Sequence, residues 1–354
     1  MPPKKSIDES PVRPKAVPKA PPRRIVDAPA TAVVRKPKVR RIKERNCSVG
    51  RTIDVIGDGW SFMILRECYF GVRRFEKFHE MLRLPRNTLT ARLRKLSSQG
   101  VLRRVAYSER PLRYEYRLTK VGIALYPVML ALMSFGDKWL KGDAPKPLQL
   151  VHAKCGKPCK ALVGCSHCRG EILASRTSYR DGPGTGTTLI EPGRRGRRSA
   201  DPTALERRRP SSVARALQVI GDRWRFMIIR EAFFRARRFD EFETKLGIAP
   251  NILSDRLTRL VADGVFRRVR YQVQPERFEY RFTEMGMDLF GSMIAMLRWG
   301  DDWLSGAEPP LVLTHLDCGA DFEPTIYCDQ CHEPLVATDM RYKMNYSDPI
   351  GPPA

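Results

Sequence analysis

The sequence predicts a mainly helical protein built from two copies of one domain, each with a small two-stranded β-hairpin. Three observations support this class. The 354 residues repeat after a shift of 164, apolar residues recur at helical spacing, and both copies end in the same pattern of histidine and cysteine. A period this long indicates two whole domains rather than a solenoid.

The internal repeat aligns without a gap for some 85 positions. Residues 55–58 match residues 219–222, Arg73-Arg74-Phe75 matches Arg237-Arg238-Phe239, and Trp139 matches Trp303. Over residues 55–74, 13 of 20 residues are identical in the two copies. Chance does not produce that agreement, so we infer a duplication.

The elements of one copy follow from its periodicity and its stop signals. A glycine at position 100 is expected to end the fourth helix, Thr119 to cap the last one, and Pro127 to bend it. In the second copy Thr283 is the cap, and Gly291 replaces the proline. In order, we predict helices at 48–57, 60–70, about 75–82 and 86–98, strands at 101–107 and 113–118, and a long helix from 119 to about 140.

Composition sets the outer boundaries of the domains. Stretches rich in proline, glycine and arginine, without apolar periodicity, predict disordered or flexible segments. The resulting division is a basic tail at 1–46, a first helical domain at 47–141, a cysteine-containing segment at 142–175, a basic linker at 176–210, a second helical domain at 211–305, a second cysteine-containing segment at 306–340, and a tail at 341–354.

The net charge of +25 and the pI of about 10.0 favour a polyanionic partner, with nucleic acid first and a membrane surface second. No run of about 18 apolar residues predicts a membrane span, and the basic N-terminus lacks the apolar stretch of a secretory signal. We therefore expect a cytoplasmic protein. The charge is uneven, at +14 over residues 47–169 and −4 over residues 211–340.

Short helices followed by a basic hairpin predict a winged helix-turn-helix in each copy. The fourth helix has leucines 89, 93 and 96 on one face and polar or cationic residues on others, as a helix in the major groove requires. The hairpin arginines are placed to contact phosphates or the minor groove. The predicted DNA contacts are Arg86, Asn87, Thr88, Thr90, Arg92, Lys95, Arg103, Arg104, Arg110 and Arg113 in the first copy, and Asn251, Ser254, Arg256, Arg259, Arg267, Arg268, Arg270 and Arg277 in the second.

Both copies resemble the HxlR-type transcriptional regulators, which are related to the MarR regulators. The matching stretches include Ile56-Gly57-Asp58-Gly59-Trp60, Leu89-Thr90-Ala91-Arg92-Leu93 and Tyr114-Glu115-Tyr116-Arg117-Leu118-Thr119, and the resemblance covers about 47–141 and 211–305. It implies a bacterial cytosolic repressor or activator, associated with the nucleoid, that binds double-stranded operator DNA. It also implies dimers paired through the first and last helices.

The stretch from Ile123 to Leu140 is too apolar for one small domain to cover. The equivalent stretch at 287–304 of the same chain is an obvious partner helix. We therefore predict a pseudo-dimer within one chain, reading two half-sites, with the first copy supplying most of the DNA affinity. The alternative is that each copy pairs with a second chain in a homodimer.

Each copy ends in a pattern of soft ligands, HxxC followed by CxxC after nine residues. This spacing is typical of a tetrahedral zinc site, and four ligands leave no open position for catalysis. We predict two structural zinc sites, one in each copy, that fold small ribbons. The ligands are His152, Cys155, Cys165 and Cys168 in the first, and His315, Cys318, Cys328 and Cys331 in the second.

Three cysteine questions stay open in the sequence. Cys159 has no counterpart in the second copy, where Phe322 stands, so it is a further candidate ligand. The ribbon cysteines could instead form a redox switch. In the family, a cysteine at the position of Cys47 sometimes senses oxidants; it begins the first helix, where the helix dipole lowers thiol pKa values, and Ser211 replaces it in the second copy.

An enzyme has little support, because the sequence has no phosphate-binding loop, no dinucleotide fingerprint and no recognisable carboxylate pair. A second non-enzymatic interpretation is an architectural or single-strand nucleic-acid-binding zinc protein. The two differ in sequence preference and in the steepness of their salt dependence.

Overall fold

A computed structural model describes residues 42–140, 145–190, 209–306 and 308–346. Most of the predicted basic tail, the linker over 191–208 and the end of the C-terminal tail lie outside these ranges. The first winged-helix domain contains helices α1 (Ser48–Ile56), α2 (Gly59–Tyr69), α3 (Phe75–Leu82) and α4 (Arg86–Ser98), strands β2 (Leu102–Glu109) and β3 (Leu112–Leu118), and helices α5 (Lys120–Ile123) and α6 (Tyr126–Trp139).

The second winged-helix domain repeats this order. It contains α7 (Ser212–Ile220), α8 (Arg223–Phe233), α9 (Phe239–Leu246), α10 (Pro250–Ala262), β9 (Phe266–Gln272), β10 (Arg277–Phe282) and α11 (Glu284–Leu304). The predicted helices and hairpins are therefore present in both copies. The long last helix is continuous only in the second copy, whereas in the first copy α6 restarts at Tyr126 with Pro127 in its first turn.

Helix boundaries follow from the capping residues. Asp58 accepts a hydrogen bond from the backbone N–H of Ser61, and Thr119 accepts one from Gly122. Thr283 accepts the equivalent bond in the second domain, so both predicted threonine caps are confirmed. Gly100 follows the end of α4 with a φ of 71°, a conformation that favours glycine.

The two domains pack against each other through their first and last helices. Helix α1 packs against α11, α6 packs against α7, and α6 and α11 contact each other. Gly136 of α6 and Gly300 of α11 permit this close approach, because a Cβ atom would lie 2.1 Å from the carbonyl oxygen of Ser212 or 2.4 Å from that of Ser48.

Within the described ranges, Lys120–Trp139 is the one stretch long and apolar enough to cross a membrane, and half of its most apolar window is buried. A core helix has the same length and composition. Since α6 packs between α7 and α11, we regard the stretch as core.

A third layer consists of short strands from both copies. From the first copy come β4 (Leu148–His152), β5 (Pro158–Cys159), β6 (Ala161–Cys165) and β7 (Thr177–Asp181); from the second come β11 (Leu311–His315), β12 (Asp321–Phe322), β13 (Pro324–Cys328) and β14 (Met340–Met344). We call these strands and their turns the ribbon layer. Strand β4 pairs with β14, β11 with β7, and β6 with β13, so every one of these three pairings joins the two copies.

The structure corrects three predicted boundaries, and at one of them β14 extends into the segment predicted as a tail at 341–354. Strand β7 and strand β8 (Thr187–Ile190) lie in the segment predicted to be a flexible linker, and β1 (Ile42–Arg45) lies in the predicted disordered tail. Strands β1 and β8 pair with each other, and β7 pairs with β11, so these segments find partners more than 100 residues away. The composition of a segment does not indicate whether it pairs with a strand far away in the sequence.

Candidate functional sites

The exposed face of α4 is the candidate DNA-reading surface of the first domain. Leu89, Leu93 and Leu96 are fully buried against the domain core. Asn87 and Arg94, seven residues apart and therefore on one face, are exposed. Arg94 is not among the predicted contacts, although its spacing from Asn87 could have indicated it.

Most of the predicted DNA-contacting side chains lie on the surface, and the rest are half-buried. The exposed ones are Arg86, Asn87, Arg103, Arg104, Arg110, Arg113, Asn251, Ser254, Arg259, Arg267, Arg268, Arg270 and Arg277. The half-buried ones are Thr88, Thr90, Arg92, Lys95 and Arg256. Burial lowers the pKa of the Lys95 ammonium.

Two of the half-buried arginines are engaged inside their own domain. Arg92 Nε lies 2.9 Å from Asp58 Oδ1, and Arg256 Nε lies 3.1 Å from Asp222 Oδ2. Both aspartates cap the helix before the helix-turn-helix, so each arginine ties that helix to the recognition helix. Their first role in the structure is to position α4 and α10.

The hairpins are braced by arginine–aromatic stacking. The Arg104 guanidinium lies 4.0 Å from the ring centre of Tyr114, and that of Arg268 lies 3.9 Å from Phe278. Arg74, at the start of α3, stacks on Tyr107 of the hairpin at 4.6 Å. One arginine of each hairpin, Arg104 or Arg268, is therefore held against the hairpin surface beside the recognition helix.

The eight predicted metal ligands form two clusters, but not the two that the sequence suggested. In each cluster the four ligand atoms all lie within 4.8 Å of one another. The first cluster is His152 and Cys155 with Cys328 and Cys331, and the second is Cys165 and Cys168 with His315 and Cys318. The assignment of one quartet to each copy is therefore wrong, because each cluster takes two residues from each copy.

The distances within the clusters fit a tetrahedral metal centre. Tetrahedral zinc with ordinary bond lengths places two sulfurs about 3.8 Å apart and a sulfur about 3.5 Å from a nitrogen. Cys155 and Cys328 Sγ are 4.0 Å apart, and Cys165 and Cys318 Sγ are 3.9 Å apart. These sulfur separations are about twice that of a disulfide.

The histidines complete both clusters. His152 Nδ1 lies 3.2 Å from Cys331 Sγ, and His315 Nδ1 lies 3.3 Å from Cys168 Sγ. Both imidazoles are buried, with at most 1% exposed. Each cluster can hold a metal ion through one nitrogen and three sulfurs.

The four ligand-bearing turns share one backbone form. In each, the residue after the second ligand has a positive φ of 54° to 71°; these residues are Gly156, Arg169, Gly319 and His332. Backbone N–H groups of His167 and Gln330 point at Cys165 and Cys328 Sγ at 3.4 Å. A backbone hydrogen bond from Lys157 lowers the pKa of Cys155, which favours the thiolate that binds metal.

The remaining cysteines are not members of these clusters, although the Cys159 thiol contacts Cys328. Cys159 lies in β5, outside the set of four mutually close ligand atoms. Cys47 precedes α1 and is 5% exposed, and its role as an oxidant sensor stays a prediction.

Each domain has a helix-turn-helix packed on the domain core, with the outer face of its second helix exposed and a basic hairpin beside it. These features define a winged helix-turn-helix DNA-binding protein, here with the domain present twice. The family model described as HxlR-like helix-turn-helix matches residues 55–144 and 219–308. The chain therefore belongs to the HxlR family of transcriptional regulators.

Individual relatives agree with this assignment. An HTH-type transcriptional regulator of Mycobacterium bovis is 45% identical over 130 residues, which are 36% of this chain and 82% of that protein. An HTH-type regulator of Synechocystis is 35% identical over 28% of this chain and 73% of its own length, and YdeP of Bacillus subtilis is 35% identical over 26% and 73%. These relatives are regulators rather than enzymes by name, and each has about the length of one copy.

Proposed function

We propose that the chain is a sequence-specific, double-stranded DNA-binding transcriptional regulator whose two domains take the places of the two protomers of a dimer. The observation that supports the dimer-like arrangement is the reciprocal packing of α1 on α11 and of α6 on α7. Each domain contributes one recognition helix and one hairpin, so one chain offers two half-site readers. Such a protein acts in the bacterial cytoplasm, at the nucleoid.

The oligomeric state tests the pseudo-dimer directly. A chain of 40.5 kDa that satisfies its own helix interfaces is expected to sediment as a monomer at micromolar concentration. A species of twice that mass would support the alternative, in which each domain pairs with a second chain.

Sequence preference tests the regulator. We expect selection from random duplex DNA, and mapping of bound sites in the host genome, to return one motif with two half-sites. The matched comparison is Arg94→Ala on the α4 face against Arg341→Ala, an exposed arginine of the ribbon layer. Loss of binding in the first variant alone supports the proposal. Equal binding to all duplexes with a steep salt dependence would identify an architectural protein instead.

We propose further that both metal clusters hold zinc as a structural ion. One nitrogen and three sulfurs are a donor set that zinc prefers, and four protein ligands leave no position for a reacting water. Metal analysis of protein purified without an affinity tag for metal should give two zinc ions per chain. Metal-free protein that is fully folded would refute this assignment.

A further inference from the structure

We propose that the two metal ions cross-link the two copies, so that high-affinity binding to a pair of half-sites requires the metal-loaded chain. This inference rests on the proposed metal binding and on the proposed two-site function. Its starting point is the exchange of ligands, because each cluster joins an HxxC turn of one copy to a CxxC turn of the other. A metal ion in either cluster is therefore a bond between copies.

The ribbon layer consists of short strands, and its buried apolar side chains, such as those of Leu150, Phe322 and Ile326, belong to the same core as the helices. Its three long strand pairings all join the copies, and β5 and β12 are two residues each. The ion pairs at its edge also run between copies: Lys154 with Asp339, Arg176 with Asp317, and Arg180 with Asp321, at 2.7–3.1 Å. The cations of all three pairs are largely exposed, and such pairs contribute little. Metal coordination would add a bond between the copies at each cluster that is much stronger than any of these ion pairs.

The ribbon layer in turn contacts the helices that set the geometry of the two domains. Strand β6 packs on α6, and β13 packs on both α6 and α11. The Ser134 hydroxyl of α6 donates to the carbonyl of Ala161 at 2.9 Å, and Arg298 of α11 pairs with Glu323 beside β13. Helices α6 and α11 are also the ones that pack on α7 and α1.

A chain of contacts therefore runs from each metal cluster to the interface between the domains. Losing the metal releases the ribbon strands from each other and removes one layer of support from α6 and α11. We expect the apolar helix interface to keep the domains together while their relative placement loosens. Binding to one half-site then survives, and the gain from a second half-site at fixed spacing is lost.

The ligand exchange is tested by zinc stoichiometry in two double variants that each remove two thiols. Cys155→Ser with Cys331→Ser removes two ligands from one cluster, so one zinc per chain should withstand a competing chelator. Cys155→Ser with Cys168→Ser removes one ligand from each cluster, so none should withstand it. If each copy instead bound its own metal ion, the first variant should keep no zinc and the second should keep one. That result would overturn the inference. Cys159→Ser, which removes a thiol that contacts Cys328 without being one of the eight ligands, is expected to keep two zinc ions.

The coupling to DNA is tested with the wild-type chain before and after zinc removal, on duplexes carrying one or two half-sites of the selected motif. We expect zinc removal to weaken binding to the double site at least tenfold and binding to the single site less than threefold. Unchanged affinity for the double site would overturn the coupling. If selection returns no motif, the two-site function fails, and the coupling proposal fails with it. The zinc counts of the double variants still decide the ligand exchange, so the two failures are distinguishable.

Discussion

The two recognition helices have the same backbone and different surfaces. Along the exposed face of α4 lie Asn87, Ala91 and Arg94. The equivalent positions of α10 carry Asn251, Asp255 and Thr258. The shared asparagine and the replaced arginine show that duplication preserved the scaffold while the reading surface diverged.

Asp255 also changes the electrostatics of α10. Its carboxylate lies 3.1 Å from Arg259 Nε and in contact with Arg256, so it neutralises two predicted DNA contacts. Burial alone would raise the pKa of Asp255, but hydrogen bonds from Arg259 and Arg256 lower it overall. The first winged-helix domain has 18 Lys/Arg against 8 Asp/Glu over 47–141, and the second has 16 against 13 over 211–305. Both differences favour stronger DNA binding by the first domain.

The largest effect is expected from Arg94→Ala. An exposed arginine on a recognition helix contributes about 1–3 kcal/mol if it contacts a base, so affinity for the selected duplex should fall roughly tenfold or more. Thr258→Ala, the equivalent change in α10, should alter affinity less than threefold. Fluorescence anisotropy at one fixed salt concentration measures both. Equal losses would remove the asymmetry between the domains.

A gain of affinity is expected from Asp255→Ala. Removing this carboxylate frees Arg259, leaves Arg256 paired with Asp222 alone, and removes a negative charge from the α10 surface, so binding should tighten by about threefold to tenfold at low salt. Asp240→Ala, an exposed acid at the start of α9, is the matched control. Tightening by both variants alike would indicate a general charge effect rather than the release of these arginines.

A smaller effect, on stability, is expected from Arg92→Ala. The partly buried pair with Asp58 ties α4 to the start of α2, and its loss should cost about 1 kcal/mol, seen as a lower unfolding midpoint in urea. Arg256→Ala should cost a similar amount through Asp222. DNA affinity should fall more for Arg92→Ala. An equal fall in affinity for Arg92→Ala and Arg256→Ala would contradict the prediction that the first domain supplies most of the DNA affinity.

A separate effect concerns the dependence of stability on pH. Burial raises the pKa of Asp301 in α11 to about 6, although the Ser48 hydroxyl donates to it and Arg298 and Arg51 lie nearby; the neighbouring Asp302 adds to the rise. The folded chain thus binds a proton more readily than the unfolded one, and this contribution to stability falls as pH rises from about 4 to about 6. Asp301→Asn should flatten that dependence in urea unfolding series. An unchanged slope would contradict the assignment.

Periodicity and duplication predicted the helices, hairpins and threonine caps, because these depend on local sequence. The pairing of metal ligands did not follow from the sequence. Both copies carry the same HxxC and CxxC turns, so their local geometry suits either arrangement. The choice is made by β6 pairing with β13, which brings Cys165 beside Pro324 and Ala161 beside Cys328. Such a contact between distant segments has no local signature.

The exchange of ligands has a consequence for the order of events during synthesis. The second cluster lacks ligands until Cys318 has left the ribosome, and the first lacks them until Cys331. Clusters of the observed composition can therefore be completed only after the second copy has been synthesised, which makes the duplicated halves a single unit of assembly.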